Sequence, residues 1–294
     1  MADLSVIIVN YNTADLLADC LRSVLDQTDD ATEVWVVDNA SSDQSVAMVR
    51  ERFPQVRLIA SPENLGFAKA NNLALRQATG RFIHFLNPDT VVQSGCYQAM
   101  LDFMATHPRV GMAGTRLLYP DLSPQGSMEE RYPGQRYTSG ELDGLPGNIA
   151  WLLGASIIAR REVMEQVDGF SESYFLYGED IDLGLKVRRA GWELGFIPKA
   201  MVIHWEGQSE RGNQPNAVLR KKLAAEALFY KCHYRPDTIG RICRANILQA
   251  RWRLLSLPME RLFASNKGTV AAKQERYRMI LSFFLALAAE TSSS

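Results

Sequence analysis

The spacing of apolar residues changes period repeatedly along the first third of the chain. Leu4–Asn10 (LSVIIVN) is a continuous apolar run rich in β-branched residues, the pattern of a strand buried on both faces. In 14–27 (ADLLADCLRSVLDQ) the apolar positions recur at helical spacing. A second strand is predicted in EVWVVDNASS (33–42), which ends in Asp38 and a turn cluster, and a third in VRLIAS (56–61). GFAKANNLALRQATG (66–80) predicts a helix closed by Gly80, and RFIHFLNPDT (81–90) a fourth strand ending at Asn-Pro. GCYQAMLDFMATHP (95–108) predicts a helix stopped by Pro108. Strands alternating with helices imply a parallel, doubly wound sheet. Residues 120–147, rich in Pro, Gly, Ser and charge, read as a long mobile loop of the kind that serves as a lid. LLGASIIARRE (152–162) predicts a strand and a helix start, and LGFIPKAMVIHWEGQS (194–209) a strand ending near His204. From Gln214 the pattern is helical to the end, with breaks expected around Pro236, Pro258 and Gly268.

Ligands of such sheets bind beyond the carboxyl ends of the strands. Those ends are Asn10–Asn12, Asp38–Ser42, Ser61–Gly66 and Asn87–Asp89, all polar. Each alone fits an ordinary turn; four at one sheet edge point to a ligand site. No GxGxxG, GxxxxGK[ST] or GxSxG motif is present, which leaves dinucleotide, P-loop and serine-hydrolase chemistry without support. What remains is Asp89 at the edge, an acidic cluster (Glu179, Asp180, Asp182) and a late histidine, His204. Oxygen and imidazole donors of this kind suit a hard divalent cation, and such a cation can hold a diphosphate.

Taken in order, these segments resemble the family 2 glycosyltransferases with a GT-A fold, and within them the bacterial rhamnosyltransferase-like branch. The resemblance rests on VIIVNYN (6–12), VVDNASSD (36–43), ENLGFAKANN (63–72), FLNPDT (85–90), GASIIARRE (154–162), DGFSESYFLYGEDIDLGLKVRRAGW (168–192) and HWEGQS (204–209). It implies an α/β GT-A fold, Rossmann-like, with a mixed, mainly parallel sheet flanked by helices and a C-terminal helical region. It also implies inverting sugar transfer from a nucleotide-sugar donor to a saccharide or lipid-linked saccharide in cell-surface polysaccharide synthesis. The donor implied by the branch is dTDP-rhamnose; a UDP-hexose is the alternative.

Position by position, the resemblance assigns Val9, Tyr11 and Asp38 to the donor's base and ribose, and Gly66 and Asn72 to a donor-side loop and helix start. NPD matches the family's DxD motif, with Asp89 as the metal-reaching residue and Asn87 an amide where the family has a first Asp. His204 completes the metal site, which takes Mg²⁺ or Mn²⁺. Asp180 matches the general base that deprotonates the acceptor hydroxyl. Trp151, Gly154 and Glu179 fall on the acceptor side. Beside this stands a plainer account, in which the acids simply favour the dipole at a helix start. Asp182 fits that account best. His84, His107 and His233 fit structural positions. Trp151, Trp205 and the aromatic run 174–177 suit either sugar stacking or core packing.

The chain has 294 residues, 47% hydrophobic and 22% charged, a globular composition. Its four scattered cysteines argue against a disulfide framework, and no signal peptide is read at the N-terminus, so a cytoplasmic location is expected. Net charge is −1 but uneven: from Asn216 on, 14 Lys/Arg face 5 Asp/Glu, a balance of +9 that leaves −10 for the rest. The expected organisation is a catalytic domain over 1–213 and a basic helical region over 214–294. Ile239–Phe263 mixes Arg with Ile, Leu, Trp and Phe, as interfacial helices do, so this region reads as an element on the inner membrane face or as a packing and oligomerisation subdomain. A nucleotidyltransferase lacks its phosphate loop here. A nucleic-acid binder is disfavoured by the acidic first two-thirds. A nonenzymatic nucleotide-sugar-binding protein is disfavoured by the intact Asp89, Asp180 and His204.

Overall fold

Leu4–Asn10 forms β1, and every residue in it is buried. Its alternation splits the core in two. Leu4, Val6 and Ile8 point into one apolar layer, Ile7 and Val9 into the other. The first layer receives Leu17, Leu21 and Val24 of α1 (Ala14–Leu25) and Met100 and Met104 of α4 (Cys96–Thr106). The second receives Ala68, Ala70 and Ala74 of α3 (Phe67–Leu75), Val163 of α5 (Arg161–Gln166) and Leu183 and Val187 of α6 (Glu179–Arg189). Each fully buried Leu or Val contributes about 1.5–3 kcal/mol. The computed structural model describes residues 2–208, 214–263 and 267–292.

The remaining strands are β2 (Thr32–Asp38), β3 (Arg57–Ala60), β4 (Phe82–Leu86), β5 (Thr90–Val92), β6 (Val110–Leu118), β7 (Met128–Glu129), β8 (Trp151–Leu152), β9 (Ser156–Arg160) and β10 (Glu193–His204). Eight form one sheet in the order β3-β2-β1-β4-β9-β6-β10-β5, and β7 and β8 form a separate ladder. Strands β1 to β4 are parallel, as expected, but β9 runs antiparallel to both β4 and β6, and β5 antiparallel to β10. The sheet is therefore mixed, as the resemblance implies, and not the uniformly parallel one that strand–helix alternation alone suggests. No helix lies between β6 and β9 to carry a crossover, so the chain returns antiparallel. A short helix, α2 (Ser45–Arg52), and strand β6 add to the elements read from the sequence.

The chain divides into two compact units, Met1–Tyr132 with Leu145–Arg211, and Pro133–Gly144 with Gly212–Ser294. Residues 120–147 are thus not one loop. They carry β7 and a 3₁₀ turn, Gln135–Tyr137, and part of them belongs with the C-terminal helices. That second unit contains α7 (Pro215–His233), α8 (Pro236–Phe263) and α9 (Lys267–Ser292). Within it, Arg241 donates to Tyr137 O at 3.0 Å and Ser139 Oγ at 2.7 Å, which ties residues 137–139 to α8. Pro236 starts α8 and Gly268 stands at the second residue of α9, as the expected breaks there imply, whereas Pro258 lies inside α8 and does not end it. Pro258 removes one N–H bond and crowds the preceding turn, and the burial of Leu257 beside it offsets that cost. Among the described residues no helix is long and apolar enough to cross a membrane.

Candidate active site

The carboxyl ends of β1 and β2 are joined by a polar network. Asn10 Nδ2 donates to Asp38 Oδ2 at 2.9 Å and Ser41 Oγ at 3.1 Å, and Ser41 N donates to Asp38 Oδ1 at 2.9 Å. Asn39 Oδ1 accepts from Leu65 N at 2.8 Å, tying this edge to the loop after β3. Asp38 is buried with both oxygens engaged, so it orders the edge first. Val9 is buried in the core layer, while Tyr11 is exposed beside it.

Gly66 O accepts from Asn39 Nδ2 at 3.2 Å, which joins it to the β2 edge, and Gly66 and Asn72 also make contacts the sequence did not show. Gly66 has φ +80°, and a Cβ on it would stand 2.6 Å from Phe175 O. Phe67 N donates to that same carbonyl at 2.8 Å. Asn72 Nδ2 donates to Phe170 O at 2.9 Å, and its Oδ1 accepts from Phe170 N at 2.9 Å. Both residues therefore clamp the 170–175 segment that leads into α6. Asn72 is buried, and its amide is committed to that segment.

Asp89 and His204 are 115 positions apart in sequence but are brought together by strand register. β5 pairs antiparallel with β10, with Thr90 opposite His204, and Trp205 N donates to Asp89 O at 3.0 Å. His204 Nε2 lies 3.4 Å from Asp89 Oδ1, and both side chains are buried. Gln125 sets the imidazole. Its Nε2 donates to Glu206 Oε2 at 3.0 Å, which turns Oε1 toward His204 Nδ1 at 3.0 Å. An amide oxygen only accepts, so Nδ1 donates to Gln125, and Nε2 is the ring nitrogen that faces Asp89. Asn87 Oδ1 is buried nearby in the chain with no partner. No cluster of three His, Cys, Asp or Glu side chains is found among the described residues. One carboxylate and one imidazole still fit a hard cation that takes its other ligands from a diphosphate and water, and the orphaned Asn87 amide suits a metal-bound water or donor hydroxyl. Gln125 and Glu206 were not singled out from the sequence. Glu206 lies inside HWEGQS, whereas Gln125 sits in the expected lid with no motif to mark it. Ser209, the last residue of that motif, lies outside the described residues.

Asp180 reaches the same sheet edge by another route. Because β4 and β9 are antiparallel, the carboxyl end of β4 meets the amino end of β9, and Asn87 N donates to Ala155 O at 2.9 Å. The next residue back, Gly154, donates its N–H to Asp180 Oδ2 at 3.1 Å. Asp180 Oδ1 accepts from Ile181 N at 2.8 Å. Left-handed Tyr177 and Gly178 (φ 72° and 83°) turn the chain into α6, and such a backbone at Tyr177 costs about 1–2 kcal/mol. Gly184 lets α6 lie on β8, since a Cβ there would meet Trp151 Cβ at 3.0 Å. Trp151 is half-buried and donates its indole N–H to Arg131 O at 3.2 Å.

Burial raises the Asp180 carboxyl to about 6, against the two N–H donors that favour its charge. Burial, then the Asp180 charge, raises Glu179 to about 8. Glu179 Oε2 has no partner, so Glu179 holds a proton while Asp180 ionises first. Asp182 is buried and accepts from Ser171 Oγ, a structural position. His84 is a core residue: its Nε2 meets Ser156 Oγ at 2.9 Å, and burial pushes it down to about 3.

This edge combines a polar rim, a carboxylate–imidazole pair and a buried carboxylate held by two backbone N–H groups. The comparisons give the family. The family described as Glycosyl transferase family 2 matches residues 5–168, so the chain belongs to that family. It is 29% identical over 256 residues to an N-acetylglucosaminyl-diphospho-decaprenol L-rhamnosyltransferase of Mycobacterium tuberculosis, covering 77% of this chain and 83% of that protein. It is 28% identical to the O-antigen biosynthesis protein RfbC of Myxococcus xanthus, over 71% of this chain and 18% of that longer protein. The fold matches that of the mannosyltransferase PcManGT from Pyrobaculum calidifontis, solved with GDP-Man and Mn²⁺, with a TM-score of 0.62 and 20% identity over 98% of this chain and 86% of that one.

Proposed function

We propose that the enzyme transfers L-rhamnose from dTDP-rhamnose, with inversion, to a saccharide or lipid-linked saccharide in cell-surface polysaccharide synthesis. The observation that carries the reaction type is Asp180. It is a carboxylate held by two backbone N–H groups, raised by burial into the range where a base works near neutrality, at the sheet edge that also carries Asp89 and His204. The choice of sugar and acceptor is supported by the rhamnosyltransferase relative.

In this reading Tyr11 stacks on the nucleobase, and Asp38 holds Asn10 and Ser41 ready for the ribose. Asp89 and His204 would hold a divalent cation (Mg²⁺ or Mn²⁺), which when bound stabilises the charge on the departing diphosphate. Asp180 takes the proton from the acceptor hydroxyl as its oxygen attacks the anomeric carbon, and one displacement inverts that centre. Protonated Glu179 adds no second negative charge beside the base and donates to the acceptor. Trp151 and Gly154 line the acceptor side. Residues 1–213, apart from Pro133–Gly144, serve as the catalytic domain, and 214–294 with that segment as an accessory helical region.

The test is a panel of nucleotide sugars with Mg²⁺, Mn²⁺ or chelator, scored for binding and for nucleoside diphosphate release. Preference for dTDP-rhamnose supports the reading. Preference for a UDP-hexose overturns the donor assignment alone, and no binding by any nucleotide sugar overturns the whole.

A further inference from the structure

Helix α8 has two apolar faces. Ile239, Ile242, Cys243, Ala250 and Leu257 lie on one and are buried. On the opposite face, Leu248, Trp252, Leu255 and Met259 recur at helical spacing and are 65%, 69%, 74% and 67% exposed. Scattered exposed apolar residues need no explanation, but four in one stripe, one of them tryptophan, mark an interaction surface. Arg244 and Arg251 are exposed along the edge of the same stripe. Between Asp237 and Glu260 the helix has four arginines and no acidic residue.

The charge selects the occupant. A second copy docked through this stripe would set arginines against arginines, with no carboxylate of the helix between Asp237 and Glu260 to meet them. An anionic bilayer supplies phosphates for Arg244 and Arg251 and an acyl boundary for Leu248, Trp252, Leu255 and Met259. Tryptophan suits that boundary because its apolar ring carries one polar N–H. We infer that the exposed face of α8 docks the protein on an anionic lipid surface, lying in the interface plane with the Leu248–Met259 stripe inserted. The inference extends the proposed function, since a docked enzyme would meet lipid-linked acceptors, but it does not depend on the donor sugar.

The experiment is cosedimentation of the full chain with phosphatidylglycerol/phosphatidylcholine vesicles and with pure phosphatidylcholine vesicles, at low and high salt. Wild type is expected to bind the anionic vesicles at least tenfold better than the neutral ones, and to lose most of that preference at high salt. Trp252→Ser with Leu255→Ser is expected to reduce binding at least tenfold. Arg244→Gln and Arg251→Gln are each expected to reduce it about fivefold, the change that one interfacial charge corresponds to. These side chains are exposed, so melting temperature and dTDP-rhamnose binding in solution should stay at wild-type values. That separates failure here from failure of the glycosyltransferase reading. Equal binding of wild type and the Trp252/Leu255 variant, or no binding to anionic vesicles, overturns the inference. So does a concentration-dependent dimer in sedimentation velocity that the same variant abolishes, which would assign the stripe to a second copy.

Discussion

Replacing Asp180 by asparagine separates the base from everything around it. The side chain keeps its size but offers one oxygen where the carboxylate offers two. Two backbone N–H groups point at it, Gly154 at 3.1 Å and Ile181 at 2.8 Å. One of them must then face an amide N–H, a loss of about 1–3 kcal/mol in stability. The chemical step loses more. A positioned base contributes about 10²–10⁴-fold, equivalent to roughly 3–5 kcal/mol of barrier. The expected result is a kcat lower by about 10²–10⁴-fold with dTDP-rhamnose affinity within about threefold of wild type. Calorimetric titration and a coupled nucleoside diphosphate assay measure the two. The pH profile gives a second signature. The base works ionised, so wild-type kcat/KM should rise with pH through about 6 and then level, and this limb should vanish in the variant. Asp182→Asn is the control: it disturbs the Ser171 contact and should lower stability with kcat nearly unchanged. An Asp180→Asn enzyme within about tenfold of wild type, with the acid limb intact, would refute the assignment.

Three further outcomes test the surroundings. Glu179→Gln fixes the neutral form of a carboxyl whose folded value is raised. The stability tied to its proton is complete below the ordinary value of 4.5 and is lost as pH rises through about 8. The variant should therefore gain on wild type between about pH 5 and pH 9, by up to about 5 kcal/mol, in urea denaturation; a difference independent of pH contradicts this. Gln125→Ala removes the acceptor that fixes the His204 tautomer and should weaken Mn²⁺ binding in the presence of nucleoside diphosphate by about 10–100-fold, read by paramagnetic resonance, whereas an unchanged affinity removes Gln125 from that role. Asn72→Ala should lower stability by about 2–3 kcal/mol and leave donor affinity unchanged, since its amide holds Phe170; weakened donor binding at full stability would support the donor-side role.

Which parts of this were legible in the chain follows from how local each signal is. Leu4–Asn10 reads as a buried strand because an unbroken β-branched run, Val6–Val9, fills its centre, and it folds as β1 over the same limits. The positions of Asn10, Asp38 and Asn87 at one edge follow from βαβ alternation alone. Strand direction beyond β4 does not. Ser156–Arg160 has the same apolar pattern whichever way it runs, and only its neighbours in space make it antiparallel. The Asp89–His204 pair was named through family resemblance, and its physical cause is the Thr90–His204 register between distant strands. Gly66 and Asn72 illustrate the converse. Both stand in a motif named from the sequence, and their contacts with Phe170 and Phe175 are long-range ones that spacing cannot display. Gln125 had no signal because a single glutamine in a Pro- and Gly-rich stretch looks like any loop residue. Pro258 misled for a related reason: its propensity is local, and the packing that carries α8 past it is not.

The central claim is a single displacement with Asp180 as base, and the stereochemistry of the transferred sugar tests it most directly. Proton resonance of the first product formed from dTDP-rhamnose, on an acceptor or on water, reads the anomeric configuration. The account requires inversion relative to the donor. Retention of configuration in that first product would contradict it, because a single base-assisted attack has no second step to restore the original centre.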